Sequence, residues 1–259
     1  MGLPLLVPDW PVPANVRAVC STRAGGNSLP PYDSLNLGDL VGDRPEAVAA
    51  NRQAFAATVG ARPVFLTQVH GRHTIELDAG TPDGAQADGC LTAHRQLACT
   101  IMVADCLPIL LCDTAGTAVA AVHAGWRGLA GAGGNGILEA VLERFLPLAL
   151  IQQAQVAIKT IAWLGPCIGP EAFEVGPEVK AAFEAVDPQA SALFQPHGGG
   201  KWRADLQGLA RQRLHALGIT QIYGNDGSGQ WCTVSNRSRF FSHRRDRVSG
   251  RLAACIWLA

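Results

Sequence analysis

Three residues of the kinds that bind transition metals or cleave bonds stand at the ends of apolar, strand-like runs: His70, Cys106 and His123. Cys106 precedes the run at 107–112 and His123 closes the run at 117–123, with turn residues at Asp113–Gly116 between them. If the two runs pair antiparallel about that turn, Cys106 and His123 fall at one end of a hairpin, within reach of each other or of one metal ion. His70 ends another apolar stretch next to a glycine, and His123 is followed by Ala-Gly-Trp-Arg-Gly, where small residues let the backbone turn closely beside a site. Two histidines and a cysteine suit tetrahedral zinc with one position left open for water or substrate. A thiolate beside an imidazole is also a competent nucleophile and base. Residues so far apart in sequence can equally be unrelated buried side chains, so the residues alone leave three readings open.

Asp105 precedes Cys106 in an otherwise apolar stretch, where a carboxylate is costly unless paired. It could orient a histidine, act as a general acid or base, or cap a strand end. The stretch NRSRFFSHRRDRVSGR carries Arg237, Arg239, Arg244, Arg245, Arg247 and Arg251 around two phenylalanines. Guanidinium forks match oxyanions, so Arg244, together with Arg127 in GWRG and Arg23 in STRAGG, is a candidate for phosphate or another anion. A solvated charged loop is the plainer account. His94 and His215 read as surface or structural residues.

The elements that must position these residues follow from periodicity and punctuation. Strands are expected at 16–21, 64–69, 74–77, 97–103, 155–164, 219–223 and 252–258, besides the central hairpin. Helices are expected at 44–59 with Asp43 as N-cap and Gly60 as stop, at 129–145, at 177–186, and at 205–217 with Asp205 as cap. Glycines at 131, 133, 134 and 136 weaken the start of the second helix and could instead prolong the loop after Arg127. Strands and helices mix without a strict βαβ rhythm. The pattern therefore reads as a single α+β domain over residues 1–259, with mixed sheets flanked by helices.

Composition narrows the function classes. Lys+Arg and Asp+Glu are balanced at 21 each, which argues against a general binder of nucleic acid or of membrane surfaces. No apolar run approaches a membrane span, and the proline-broken N-terminus does not read as a signal peptide. Eight cysteines without a Cys-x-x-Cys pair fit reduced thiols in a cytoplasmic protein. No P-loop, GxGxxG or GxSxG motif is present.

TQVHG at 67–71, ADCLPILL at 104–111 and AVHAGWRG at 121–128 resemble the signatures of the YfiH family, also called the laccase-domain, multicopper polyphenol oxidoreductase or peptidoglycan editing factor family. STRAGGNS at 21–28, SLNLG at 34–38, GDRPEAVAANR at 42–52, GPCIGPEAFEVG at 165–176 and FFSHRRD at 240–246 agree in the right order over nearly the whole chain. The resemblance implies a fold like that of glutamine-deamidating toxin domains. It also implies a zinc site of His70, Cys106 and His123 in a surface pocket, with copper able to take the same ligands. It further implies metal-dependent purine nucleoside phosphorylase activity on adenosine, inosine and methylthioadenosine, and deamination of adenosine. Purine nucleosides and phosphate would then be the partners; the arginines already singled out, Arg244, Arg127 and Arg23, are the candidates for phosphate contact, and Asp105 is the candidate acid or base. A four-copper oxidase does not fit seven histidines with no His-x-His pair. Two alternatives stand beside the phosphorylase: a cysteine-type amidohydrolase that edits UDP-muramoyl peptidoglycan precursors, and a metal-binding protein without catalysis. The second conflicts with an open three-ligand set, since structural zinc is usually held by four protein ligands.

Overall fold

The computed structural model describes residues 2–259. The two apolar runs around Asp113 form the antiparallel hairpin that the sequence predicts. Strand Leu107–Asp113 pairs with Val119–Ala124, Pro108 lying opposite His123 and Cys112 opposite Val119. One side chain ties the turn: the Asp113 carboxylate accepts the backbone N–H groups of Ala115 (3.0 Å), Thr117 (2.7 Å) and Ala118 (2.8 Å). Asp commonly builds turns in this way, by standing in for a backbone partner. The fixed turn sets the register, and a slip by one residue would send every core side chain to the wrong face. Cys106 and His123 are thereby held at the open end of the hairpin.

Both hairpin strands are buried along their whole length because the sheet they centre is covered on both faces. That six-stranded sheet runs in the order Gln221–Gly224, Thr160–Leu164, Leu107–Asp113, Val119–Ala124, Gly89–Thr92, Thr74–Glu76. Leu107, Ile109 and Leu111 point to one side, against helices Ile137–Leu148 and Leu206–Ala216. Leu110 and Cys112 point to the other, against a five-stranded sheet, as the two-residue period of a strand requires. The second sheet has the order Leu5–Leu6, Val16–Ser21, Leu252–Leu258, Leu97–Val103, Arg62–Phe65. Its outer face carries Ala98, Ala253 and Cys255 and is covered by Phe55 and Val59 of helix Pro45–Val59. The layers are therefore helix, sheet, sheet, helix. Parallel and antiparallel pairings mix in both sheets, an α+β architecture. Among the described residues no helix is long and apolar enough to cross a membrane.

The structure departs from the sequence reading at several elements. The expected 129–145 helix is two helices, Trp126–Ala130 and Ile137–Leu148, separated by the glycine loop. Gly131 and Gly136 have no room for a Cβ, which would lie 2.4 Å from the Asn135 carbonyl carbon and 2.6 Å from the Gly128 carbonyl oxygen respectively. Helix Pro45–Val59 begins after Arg44, with no capping side chain. Asp43 instead accepts from Ser28 Oγ (2.5 Å) and Asn36 Nδ2 (2.9 Å), fastening the preceding loop. The expected strand at 155–164 is a strand only from Thr160; its first residues turn as a short helix, Val156–Lys159. The strand Arg62–Phe65 ends before residue 69, releasing a loop that carries His70. Strand Gly89–Thr92 was not expected; it follows directly on Asp88 and pairs with Val119–Ala124.

Candidate metal centre and active-site cleft

His123 comes from the end of a buried strand, Cys106 from the turn between Leu97–Val103 and Leu107–Asp113, and His70 from the loop after Arg62–Phe65. The fold brings all three together. Cys106 Sγ lies 3.7 Å from His70 Nε2, and one ligand atom from each residue lies within 4.8 Å of the others. The two imidazoles meet edge to face at 4.7 Å between centroids. Ligands of a tetrahedral zinc with bonds of ~2.0–2.3 Å stand about 3.3–3.6 Å apart. The donor set suits a transition-metal ion, and the three atoms stand somewhat wider apart than bound ligands would, so they would draw together around one.

The carboxylate that organises this cluster was missed by the sequence reading. Asp88 is fully buried, and His123 Nδ1 lies 2.8 Å from its Oδ1. A carboxylate acceptor sets the tautomer: Nδ1–H donates to Asp88 and Nε2 is left to face Cys106, the second-shell arrangement typical of metal-binding histidines. The same carboxylate accepts the backbone N–H groups of His70 (2.9 Å) and Gly71 (2.7 Å). It thus holds the His70 turn, where φ is +61°. Burial opposes ionisation of Asp88, but the bonds from His123 and Gly71 prevail and hold its carboxyl below the usual range. A signal was available. Asp88 in AQADGCL, like Asp105, is a carboxylate among apolar residues and so needs partners.

Asp105, the candidate acid or base, is tied into the turn that carries Cys106. Its two carboxylate oxygens are occupied by the Thr233 hydroxyl (2.6 Å) and the Arg244 backbone N–H (2.6 Å), and its carbonyl accepts from Ile168 N–H (2.9 Å). At φ +98° its backbone is in a region few side chains adopt, stabilised here by those bonds. Asp105 therefore pins the turn that presents Cys106. Small residues finish the packing. A Cβ on Gly125 would lie 3.0 Å from His70 Cδ2 and 3.2 Å from Cys106 Sγ, and one on Gly128 would lie 2.7 Å from the Gly71 carbonyl oxygen.

The electrostatics single out Cys106 among the thiols. Burial opposes its ionisation, but the charge of His123 and hydrogen bonds from His123 and His70 outweigh burial and bring it down to about 6. Burial likewise disfavours the charged form of His123, yet the Cys106 charge and the Asp88 hydrogen bond raise it to about 9. Each shift is caused largely by the other group, and both favour a thiolate beside a protonated imidazole. In contrast, burial pushes Cys20 and Cys112 up to about 12 and also raises Cys99, Cys167 and Cys255, which are inert core residues.

The cluster opens into a cleft of about 490 Å³, a size typical of small-molecule sites. Leu40, Met102 and Phe173 form its apolar surface, and Arg127, Arg244, Arg247, Arg251 and His243 its basic one. Arg244 is partly committed: its guanidinium donates to the carbonyls of Ala172 and Glu174 and lies over Phe173. Arg127 is exposed and stacks on Trp126 at 4.4 Å. Arg23 does not line this cleft. It pairs with Asp33 (3.2 Å), lies over Phe241 and borders a separate depression with Arg237 and Ser238. The sequence carried no information on which arginine-rich segment would reach the cysteine.

Residues 17–259 match a family described as multi-copper polyphenol oxidoreductase laccase. The chain is 48% identical to a Shigella flexneri protein named purine nucleoside phosphorylase YfiH and 46% identical to a Pseudomonas aeruginosa purine nucleoside phosphorylase, in each case over 98% of both chains. A crystal structure of a Neisseria meningitidis protein superposes with a TM-score of 0.86 at 44% identity, over 98% of both chains. With the histidine–cysteine–histidine centre, its cleft and the α+β layers in place, the chain belongs to the YfiH, laccase-domain family.

Proposed function

We propose that this cleft is the active site of a metal-dependent purine nucleoside phosphorylase that uses zinc. The observation that carries the reading is an open three-ligand centre beside four arginines in one cleft. In phosphorolysis a phosphate oxygen bonds to the ribose C1′. The C1′–N9 bond breaks with its electron pair going to the purine, which takes up a proton. Arg127 and Arg247 hold the phosphate and offset its charge, with what remains free of Arg244 and of Arg251, whose Nη1 donates to the Ser249 and Gly250 carbonyls. Met102, Leu40 and Phe173 offer an apolar seat to the purine. Asp88 and the Asp105 turn keep the imidazoles and the thiolate facing the cleft. Bound by His70, Cys106 and His123, a divalent ion supplies Lewis-acid charge to the reacting groups; zinc suits this donor set, and copper competes for it. Deamination of adenosine is a second activity of the same cleft in this reading. Eight unpaired thiols suit a cytoplasmic setting.

A specific observation favours one competing reading. Cys106, His123 and Asp88 stand in the order of nucleophile, base and orienting carboxylate, as a cysteine-type amidohydrolase acting on UDP-muramoyl precursors would require. The two readings separate on metal and phosphate. Zinc-loaded protein is expected to convert inosine to hypoxanthine and ribose-1-phosphate only when phosphate is present, and to stop when the metal is chelated. Turnover of a muramoyl amide that survives chelation, with no cleavage of inosine, would replace the phosphorylase by the amidohydrolase.

A further inference from the structure

The cleft has two carboxylates on its wall. Asp105 is occupied by Thr233 and the Arg244 backbone. The other, Asp39, has no such partners on one of its oxygens and stands on a rigid loop. Asn36 Oδ1 accepts the N–H groups of Gly38 (2.9 Å) and Arg251 (2.8 Å), and Tyr32 donates its hydroxyl to the Val41 carbonyl (2.8 Å). A Cβ on Gly38 would lie 2.6 Å from Arg251 Cγ, so the loop is pressed against the arginine wall of the cleft.

Asp39 is also aimed. Arg52 Nη2 lies 3.1 Å from Asp39 Oδ1, and Arg52 itself is fixed by Nε donating to the Leu37 carbonyl (2.9 Å) and by stacking 4.2 Å over Phe65. The side-chain exposures differ, 17% for Arg52 and 51% for Asp39. The guanidinium thus stands behind the cleft as a fixed support, while Asp39 lines the cleft and its carboxylate is half exposed. A carboxylate in a cleft otherwise rich in arginine would repel phosphate, and its use is to accept hydrogen bonds from neutral hydroxyl donors.

We infer that Asp39 is the residue that recognises the ribose 2′,3′-diol, making the cleft selective for ribonucleosides over 2′-deoxynucleosides. The inference rests on the phosphorylase reading for its substrate class. Phosphate bonding to C1′ has the 2′-hydroxyl as its nearest sugar donor, so a diol acceptor belongs next to the arginine wall, where the Gly38–Arg251 contact puts Asp39. Removal of one charged hydrogen-bond acceptor from a bound hydroxyl lowers kcat/KM by roughly 10- to 100-fold.

The test uses zinc-loaded full-length protein with inosine and 2′-deoxyinosine, comparing wild type, Asp39→Ala and Asp39→Asn. Binding of each nucleoside without phosphate is measured in parallel by calorimetry. Wild type is expected to prefer inosine, Asp39→Ala to lose most of that preference by weakening inosine alone, and Asp39→Asn, which keeps an acceptor oxygen, to restore part of it. Equal losses on both substrates, or none, would overturn the inference and leave Asp39 as a loop brace for Arg52. Inosine binding that depends on Asp39, without any cleavage, would overturn the phosphorylase reading while upholding this one. Failure of wild type to bind inosine at all would overturn both.

Discussion

Replacing Cys106 by alanine is expected to lower phosphate-dependent inosine cleavage by on the order of a thousandfold or more, equivalent to about 4 kcal/mol of transition-state stabilisation. Cys106 lies in a turn and is only partly buried, so truncation opens no core cavity and the chain should still fold, which circular dichroism and the urea midpoint would check. The loss has two causes that act together. The sulfur is one of three atoms converging on the centre, and it is the thiol of this chain brought down to about 6 by its neighbours. A two-histidine remnant binds a divalent ion more weakly and without a thiolate to balance its charge. Bound metal measured after dialysis should therefore fall with activity. Full activity in Cys106→Ala would place the chemistry elsewhere.

Asp88→Asn should have the second-largest effect. The substitution keeps the volume but removes a charge that serves His123 Nδ1 and the N–H groups of His70 and Gly71 together. Loss of a second-shell carboxylate typically costs 10- to 100-fold in metal affinity. An amide that can accept through one oxygen only leaves buried donors unmatched, at about 1–3 kcal/mol of stability. Competition against a metallochromic chelator would measure the first and urea unfolding the second. Excess zinc should restore much of the activity of Asp88→Asn and little of that of Cys106→Ala, because the first variant keeps all three ligands.

The hairpin and the cluster were legible in the sequence for a local reason. Apolar runs around an Asp–Gly turn set the pairing, and pairing alone puts residue 106 beside residue 123. His70 could be suspected from its place at a strand end, but its approach depends on a long-range contact with Asp88 that no local pattern encodes. Asp88 itself sits before a four-residue strand too short to announce itself by periodicity. The arginines show the limit most plainly. Arg23 and Arg244 looked equivalent as residues in motifs, yet one is paired with Asp33 outside the cleft and the other lines it. Which arginine faces a site is decided by the packing of distant segments. The glycine loop at 131–136 divided the expected helix because contacts with residues 128 and 135 leave no room for side chains, a tertiary demand that overrides helical periodicity.

The central claim is that His70, Cys106 and His123 work as a metal centre for phosphorolysis. Stepwise addition of zinc to metal-free protein, followed in the same samples by inosine phosphorolysis and by iodoacetamide labelling of Cys106, tests it most directly. The account predicts that activity rises to a plateau at a single equivalent of zinc while Cys106 becomes protected in step. Full activity in the metal-free protein, lost only when Cys106 is alkylated, would contradict it and identify Cys106 as the nucleophile of a hydrolase.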